Sequence, residues 1–206
     1  MSTYSLDAVF RPRSIALVGA SPRERSLGRL VLRQLLDGGF TGQVGVVNAR
    51  YARIEGVRTV KRMSELGFVP DLVLIAVPPR AVARTAGVAA DCGARAAVVL
   101  TRGMGSGPGS YNEALEAVAR PRGLRIVGPN CLGGVAPHPW LFASSAAQRP
   151  QAGDLALVSQ SGAVGAGLWD FASPVREEVI EIHGTRGRVS LSTFGNDPVK
   201  LELPAE

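Results

Sequence analysis

Ser14-Ile-Ala-Leu-Val-Gly-Ala-Ser-Pro-Arg-Glu-Arg-Ser26 is the stretch of sequence that decides the fold. Its apolar run at residues 15–18 ends in Gly19, small and basic residues follow, and apolar residues then recur at helical spacing. This order predicts a strand at residues 14–19 and a helix at residues 26–39, joined by a turn. A unit of this kind points backbone N–H groups and the N-terminus of a helix toward an anion.

The same strand-and-helix unit recurs further along the chain. Short apolar runs alternate with amphipathic patterns, which is typical of a right-handed, doubly wound parallel sheet with helices on both faces. The sequence therefore predicts a Rossmann-like α/β domain over residues 1–136. Strands are expected at residues 43–48, 71–77, 94–100 and 124–127, helices at 78–92 and 111–120, and either a short strand or a connection at 57–60.

The remainder of the chain has a different character. Residues 137–153 show little periodicity and are predicted to be a linker. The opening pattern then recurs as a strand at residues 154–158 and a helix at residues 163–172, which predicts an incomplete second domain over residues 154–206. From residue 177 onward, apolar and polar residues alternate between turn signals, so this domain should end in an antiparallel, β-rich tail.

Composition limits the classes of partner. Hydrophobic residues make up 46% of the 206-residue chain, enough for a sizeable core. The net charge is +6 and is carried almost entirely by arginine, since Lys61 and Lys200 are the only lysines. The arginines are dispersed and aromatic residues make up only 5%, which argues against a nucleic-acid surface and favours phosphorylated small molecules.

Cysteine usage and the N-terminal segment point to the cytoplasm. Cys92 and Cys131 are too far apart in sequence to form a metal-binding pair, and two isolated cysteines suit a reducing compartment. Residues 1–13 lack the apolar core of a signal peptide, and no apolar run is long enough to cross a bilayer. We therefore expect a cytoplasmic protein without a membrane partner or a metal site.

Ligands of doubly wound sheets bind outside the carboxyl ends of the strands. Small and polar residues follow each predicted strand, so we expect them to line one site. They are Gly19, Ser21, Arg23 and Arg25 after the first strand, Asn48, Arg50 and Arg53 after the second, then Val77 and Pro78, Thr101, Arg102 and Gly103, and finally Asn130 and Cys131.

The residue types at these positions narrow the ligand. The first turn lacks the second glycine of the G-x-G-x-x-G dinucleotide fingerprint. Asn48 stands where an NAD site needs an acid for the ribose hydroxyls, and Arg50 suits a ribose that carries a phosphate. Ser21 and Arg23 are suited to a diphosphate. Both NADP and coenzyme A (CoA), whose adenosine carries a 3′-phosphate, satisfy these requirements.

Two further positions attract attention. Cys131 follows a buried strand, but no histidine or acid can be named as its partner, so we predict no catalytic residue and interpret it as part of a pocket-lining loop. Ser159, Gln160, Ser161 and Gly162 precede the second predicted helix and form a second candidate phosphate-binding turn.

Several short motifs, taken together, resemble one known family. The resemblance is to the CoA-binding portion of NDP-forming acyl-CoA synthetases, which include the succinyl-CoA ligase alpha chain and the ADP-forming acetyl-CoA synthetases. It extends over about residues 6–172. The motifs are Val18-Gly-Ala-Ser-Pro22, Ser26-Leu-Gly28, Val47-Asn48, Ile75-Ala-Val-Pro78, Gly128-Pro-Asn-Cys-Leu-Gly133 and Leu157-Val-Ser-Gln-Ser-Gly-Ala163.

The resemblance implies a CoA site and the start of a second domain. Ser21, Asn48 with Arg50, Val77 with Pro78, Arg102 with Gly103, and Asn130 would line the CoA site. The turn at residues 159–162 would open a flavodoxin-like domain whose helix receives the phosphate of a phosphohistidine intermediate.

The chain also departs from the family. It has Asn48-Ala49-Arg50 where the family usually has Asn-Pro-Lys, and Thr101-Arg102-Gly103-Met104 where the family has Ser-Ala-Gly-Phe. Neither His138 nor His183 matches the motif of the phosphorylated histidine, which would lie beyond residue 206. No ATP-grasp domain is recognised either.

The functional prediction is therefore a CoA-binding module that does not complete the ligase reaction alone. Its expected partners are CoA or acyl-CoA and an ATP-grasp subunit or domain supplied in trans, with a homo-oligomer left open. Two alternatives are an NADP-binding Rossmann oxidoreductase or redox-sensing module, and a non-catalytic regulatory protein that retains the CoA-binding fold.

Overall fold

A computed structural model describes residues 6–136, 141–144, 155–157, 168–170, 180–184, 187–191 and 200–202. The chain divides into two compact units, Met1–Gln151 and Ala152–Glu206. In the first unit the helices are α1 Leu6–Phe10, α2 Leu27–Asp37, α3 Pro79–Asp91 and α4 Tyr111–Ala119. The strands are β1 Ser14–Val18, β2 Gln43–Val47, β3 Arg53–Ile54, β4 Val57–Val60, β5 Leu72–Ile75, β6 Ala96–Val99, β7 Arg125–Val127, β8 Gly133–Ala136 and β9 Leu141–Ser144.

Seven strands form one sheet in the order β3-β4-β2-β1-β5-β6-β7. All neighbouring pairs are parallel except β3–β4, which is an antiparallel hairpin. The predicted doubly wound, Rossmann-like sheet is thereby confirmed. The chain leaves β1 toward β2 on one side and later returns to β5 on the other, so the strand order reverses between β1 and β5.

The core lies on both faces of this sheet because successive side chains of a strand point to opposite faces. Ile15 and Leu17 pack with α1 and α2, whereas Ala16 between them packs with α3 and α4. β5 and β6 are buried throughout, and β1 is buried at every residue except Val18, which is partly exposed. Each fully buried Leu or Ile stabilises the fold by about 1.5–3 kcal/mol.

Local signals define where the helices begin. Ser26 precedes α2 in an extended conformation, and its hydroxyl accepts a hydrogen bond from the Arg29 backbone at 3.3 Å. Ser110 caps α4 in the same way through the Glu113 backbone at 3.1 Å. Pro79 is the first residue of α3, where its missing N–H leaves no intrahelical bond unmade.

The edge of the sheet opposite the predicted site is held by charged groups. Asp71 accepts a hydrogen bond from the Arg13 backbone at 2.9 Å and another from the Arg95 guanidinium at 3.2 Å. Arg95 also pairs with Asp7 of α1 at 2.9 Å, and this hydrogen bond lowers the pKa of the Asp7 carboxyl. These pairs connect α1 to the amino ends of β1, β5 and β6.

The predicted linker contains a strand. β9 pairs antiparallel with β8, with Gly133 opposite Ser144, and all four residues of β9 are buried. The hairpin packs on α2, where the Cβ of Phe142 lies 3.0 Å from the position that a Cβ on Gly38 would occupy. Sequence periodicity missed this element because it is short and is stabilised by tertiary packing.

We expect Leu141→Ala to lower the free energy of unfolding by about 2–5 kcal/mol, because Leu141 is only 2% exposed in the core shared with α2. Urea unfolding would measure this change. Leu132→Ala is the matched control: Leu132 is 61% exposed, so its replacement should change stability by less than about 0.5 kcal/mol. Equal effects of the two substitutions would show that residues 141–144 do not belong to the first folding unit.

The described part of the second unit is entirely β-structure. β10 Leu155–Leu157 pairs antiparallel with β11 Leu168–Asp170. β12 Ile180–Gly184, β13 Gly187–Leu191 and β14 Lys200–Glu202 form an antiparallel sheet in chain order. The predicted antiparallel tail is therefore confirmed.

The helix expected at residues 163–172 is wrong at its C-terminal end, where β11 lies. Gly165 and Gly167 weaken a helix at this point, and Trp169 favours a strand. Residues 163–167 are outside the described residues. Among the helices that the structure does describe, none is long and apolar enough to cross a membrane.

Candidate functional site

The carboxyl ends of the six parallel strands lie at one edge of the sheet. The loops after β1, β2, β5, β6 and β7 therefore bring together the residues that the sequence singled out. Gly19, Ser21 and Arg23 follow β1, Asn48 and Arg50 follow β2, Val77 and Pro78 follow β5, Arg102 and Gly103 follow β6, and Asn130 and Cys131 follow β7.

Gly19 lies where the strand order reverses, and there the loop after β1 touches the loop after β5. A Cβ on Gly19 would be 2.5 Å from the carbonyl carbon and oxygen of Ala76 and 2.8 Å from the nitrogen of Val77. Its φ of +101° is also one that residues with side chains rarely adopt. Glycine is therefore required at this position for both space and conformation.

Gly28 brings the first turn of α2 against the β1 loop. A Cβ on Gly28 would lie 2.8 Å from both the Cα and the nitrogen of Ala20. Within the described part of the chain, the backbone N–H groups of the partly exposed residues Ser21 and Leu27 donate to no protein acceptor. Free N–H groups at the N-terminus of a helix form a binding site for an anion. The sequence analysis quoted Gly28 but missed this packing role, because close approach to Ala20 is a tertiary property.

Asn48 connects the β1 loop to the β2 loop. Its side-chain nitrogen donates to the Ala20 carbonyl at 2.7 Å, and its side-chain oxygen accepts from the backbones of Arg50 at 2.7 Å and Tyr51 at 3.1 Å. Asn48 thus uses both ends of its amide within the protein. Its main effect is to set the positions of Ala20 and Arg50.

Arg23, Arg50 and Arg102 supply positive charge at this edge. All three are exposed, and among the described residues none of them forms an ion pair. Exposed arginines without acidic partners are available to bind phosphate, to which the planar guanidinium can donate two hydrogen bonds.

Thr101 continues the chain of contacts toward β7. Its hydroxyl is buried and donates to the Val77 carbonyl at 2.7 Å, and its own carbonyl accepts from the Asn130 backbone at 3.0 Å. Asn130 adopts φ +58°, a conformation that Asn tolerates better than most residues. The sequence analysis placed Thr101 among the candidate site residues, but its contacts with Val77 and Asn130 are visible only in the structure.

Cys131 faces the sheet. Its thiol lies 3.4 Å from the Val99 carbonyl, to which it donates. Burial raises the pKa of this thiol because the thiolate loses solvation, and backbone hydrogen bonds from Gly133 and Cys131 offset only part of that effect. A thiol with these properties is a poor nucleophile at neutral pH.

This pKa shift predicts how stability depends on pH. The unfolded chain ionises its cysteine first, at a pH near 8.5. The stability contributed by protonated Cys131 is therefore present below that pH and is lost as the pH rises through the higher value of the folded state. Urea unfolding at pH 7.5 and 9.5 should show a smaller stability difference between the protein and its Cys131→Ala variant at the higher pH. A difference independent of pH would contradict the shift.

Some predicted site features fall outside the structure. Ser159, Gln160, Ser161 and Gly162 lie outside the described residues, so their phosphate-binding role stays a prediction. Within the described ranges, no group of three or more His, Cys, Asp or Glu residues is arranged to hold a metal ion.

The fold and the site define a class of protein. A parallel sheet with a glycine cradle at the point of strand reversal, and with unpaired arginines around it, is an α/β domain for a phosphate-bearing nucleotide ligand. The chain belongs to the CoA binding domain family, which matches residues 13–137. This membership confirms the family resemblance and identifies coenzyme A as the ligand of the family.

Curated relatives agree with this assignment. The chain is 33% identical over 171 residues to an ADP-forming acetate–CoA ligase of Methanocaldococcus jannaschii, covering 82% of this chain and 24% of that protein. It is 37% identical over 166 residues to the alpha subunit of ADP-forming acetate–CoA ligase II of Pyrococcus furiosus, covering 79% of this chain and 36% of the subunit. The chain thus spans only about a quarter to a third of these relatives.

A solved structure shows the same fold. The acetyl-coenzyme A synthetase 1 of Candidatus Korarchaeum cryptofilum, crystallised with phosphate and ADP, superimposes with a TM-score of 0.63 at 33% identity. The match covers 68% of this chain and 30% of that one.

Proposed function

We propose that this chain binds CoA or acyl-CoA as the CoA-binding module of an NDP-forming acyl-CoA synthetase. The observation that carries the proposal is the Gly19 cradle, where the β1 loop lies against Ala76 of the β5 loop with unbonded N–H groups beside it. Membership of the CoA binding domain family supports the choice of ligand.

Each loop carries residues suited to a different part of the ligand. Ser21 and Arg23, together with the free N–H groups of the β1 loop, would hold the diphosphate. Arg50, placed by the side chain of Asn48, would pair with the 3′-phosphate. The rest of the ligand would pass over the loops after β5, β6 and β7, which carry Val77, Pro78, Arg102, Gly103, Asn130 and Cys131.

The contribution of these residues is binding and orientation. Arginine guanidiniums remain protonated at all physiological pH values, so they supply charge without exchanging protons with the ligand. The thiol of Cys131, protonated and directed at Val99, is not proposed as a nucleophile. Acyl transfer and phosphoryl transfer would require further parts, including an ATP-grasp domain or subunit, because this chain corresponds to a fraction of its relatives.

Calorimetric titration with CoA, dephospho-CoA and NADPH tests the proposal. We expect micromolar binding of CoA and weaker binding of dephospho-CoA, which lacks the 3′-phosphate. NADPH binding without CoA binding would overturn the proposal in favour of the oxidoreductase alternative. Absence of CoA binding by the folded chain would favour the regulatory alternative. Acyl-CoA formation by the chain alone would overturn the need for a partner.

Asn48→Asp should weaken CoA binding by about tenfold, the equivalent of one charge-assisted hydrogen bond. The aspartate retains the acceptors for Arg50 and Tyr51 but loses the donor to Ala20 and adds negative charge near the phosphates. Asn112→Asp introduces the same chemical change on α4, where the amide donates to Glu116, and should leave affinity within about twofold. Equal loss in both variants would indicate a general charge effect.

A further inference from the structure

Glu55 occupies a position in the β3–β4 hairpin that seldom suits glutamate. The two-residue loop consists of Glu55 at φ +47° and Gly56 at φ +77°. Positive φ at both central residues is the signature of a type I′ turn, which favours Asn-Gly, Asp-Gly or Gly-Gly. Glutamate is sterically strained in this conformation, and its side chain cannot form the local hydrogen bond that stabilises Asn or Asp there. Its presence therefore calls for a reason outside the turn.

The carboxylate of Glu55 reaches helix α2. It accepts hydrogen bonds from the Nε of Arg29 and, at 3.3 Å each, from the Nε and Nη2 of Arg33. The side chains of Glu55 and Arg29 are only 18% and 26% exposed. The hydrogen bond from Arg29, with a further one from Arg33, lowers the pKa of Glu55, so the carboxylate stays ionised at neutral pH.

Arg29 extends this contact into the β1 loop. Its Nη1 donates to the carbonyl of Pro22 at 2.8 Å, and its backbone N–H donates to the capping hydroxyl of Ser26. One arginine thus joins the hairpin loop, the start of α2 and the middle of the turn that carries Ser21 and Arg23. The turn is thus held at Pro22 by Arg29, in addition to the close contact between Gly28 and Ala20.

We propose that Glu55 is a positioning residue for the CoA site: by holding Arg29 against Pro22, it fixes the β1 loop in its binding conformation before the ligand arrives. The inference rests on the proposed function. A loop that is already ordered loses less conformational entropy on binding, which raises affinity without a new ligand contact.

Electrostatics gives the opposite expectation, and this makes the inference testable. A carboxylate near a polyanionic ligand repels it, so a variant without the charge should bind CoA more tightly if Glu55 acts only through its field. If Glu55 positions the loop, the same variant should bind more weakly. The sign of the change therefore separates the two roles.

Glu55→Asn is the informative variant, because Asn is a preferred residue for this turn and keeps the hairpin folded. Glu65→Gln is the matched control: Glu65 pairs with Arg62 at 2.7 Å in the segment after β4, and it accepts hydrogen bonds from the Lys61 and Arg62 backbones rather than from the β1 loop. Both variants remove one negative charge.

Two readouts are needed. Amide hydrogen exchange of the ligand-free protein should be about tenfold faster in Glu55→Asn than in the parent at Ser26 and Arg29, whose N–H groups donate to the Arg23 carbonyl and the Ser26 hydroxyl. The midpoint of thermal unfolding should be unchanged. CoA affinity should fall about fivefold in the same variant. Glu65→Gln should change neither.

Unchanged exchange at Ser26 and Arg29, or tighter CoA binding by Glu55→Asn, would overturn the inference. If the parent protein binds no CoA yet its loop loosens in Glu55→Asn, the positioning role stands and the proposed ligand is wrong. If the parent binds CoA and the loop does not loosen, the ligand stands and the positioning role is wrong.

Discussion

Replacing Gly19 by alanine should lower the free energy of unfolding by about 3–5 kcal/mol and abolish CoA binding. The new methyl group would lie 2.5 Å from the carbonyl carbon and oxygen of Ala76, which are backbone atoms that cannot rotate away. The φ of +101° is in addition strained for alanine, whereas glycine adopts it freely. To relieve the clash, the loops after β1 and β5 must separate at the point where the ligand is proposed to bind.

Gly39→Ala is the matched control for this prediction. Gly39 also has a positive φ, +78°, but nothing lies within 4 Å of its virtual Cβ. Its replacement should therefore cost only the conformational term, about 1–2 kcal/mol, and leave CoA affinity unchanged. Urea unfolding and calorimetry measure both quantities. If Gly19→Ala behaves like Gly39→Ala, the close approach of the two loops is not essential to the fold or to the site.

Arg50→Ala should weaken CoA binding by about tenfold or more, and should leave dephospho-CoA binding within about twofold. The reason is that Arg50 is proposed to pair with the 3′-phosphate, the group that distinguishes the two ligands. Its guanidinium is exposed and has no acidic partner in the described residues, so removing it should not disturb the fold.

The control for Arg50 is Arg13→Ala, which removes the same charge from the opposite edge of the sheet. Arg13 lies just before β1, and its side chain is 89% exposed. Calorimetry of both variants with both ligands, repeated at two salt concentrations, separates a specific contact from the general field of a basic protein. Equal losses of affinity in Arg50→Ala and Arg13→Ala, or equal losses for CoA and dephospho-CoA, would contradict the proposal that Arg50 binds the 3′-phosphate.

Much of the fold follows from local sequence. The strands and helices of the parallel sheet were predictable because apolar runs such as residues 72–75 are bounded by turn residues and separated by amphipathic patterns. The parallel order then places all five loops at one edge, so a candidate site could be predicted there from the sequence. The family motifs then indicated that the ligand is coenzyme A.

What the sequence could not supply is the set of contacts between distant segments. Gly28 resembles any glycine in a helix until its distance to Ala20 is known. Asn48 was expected to face the ligand, yet its amide is engaged by the β1 and β2 loops. The strand at Leu141–Ser144 has no periodicity of its own and exists because α2 offers an apolar surface.

The choice of arginine at the site has a chemical consequence. A lysine amine held beside a thioester is acylated when it loses its proton, and the cation is destroyed. A guanidinium does not lose its proton in a protein, so it has no free electron pair with which to attack. The rest of the ligand, including the thioester of an acyl-CoA, is proposed to pass over the loop after β6, so Arg102 on that loop would not be acylated by the bound ligand.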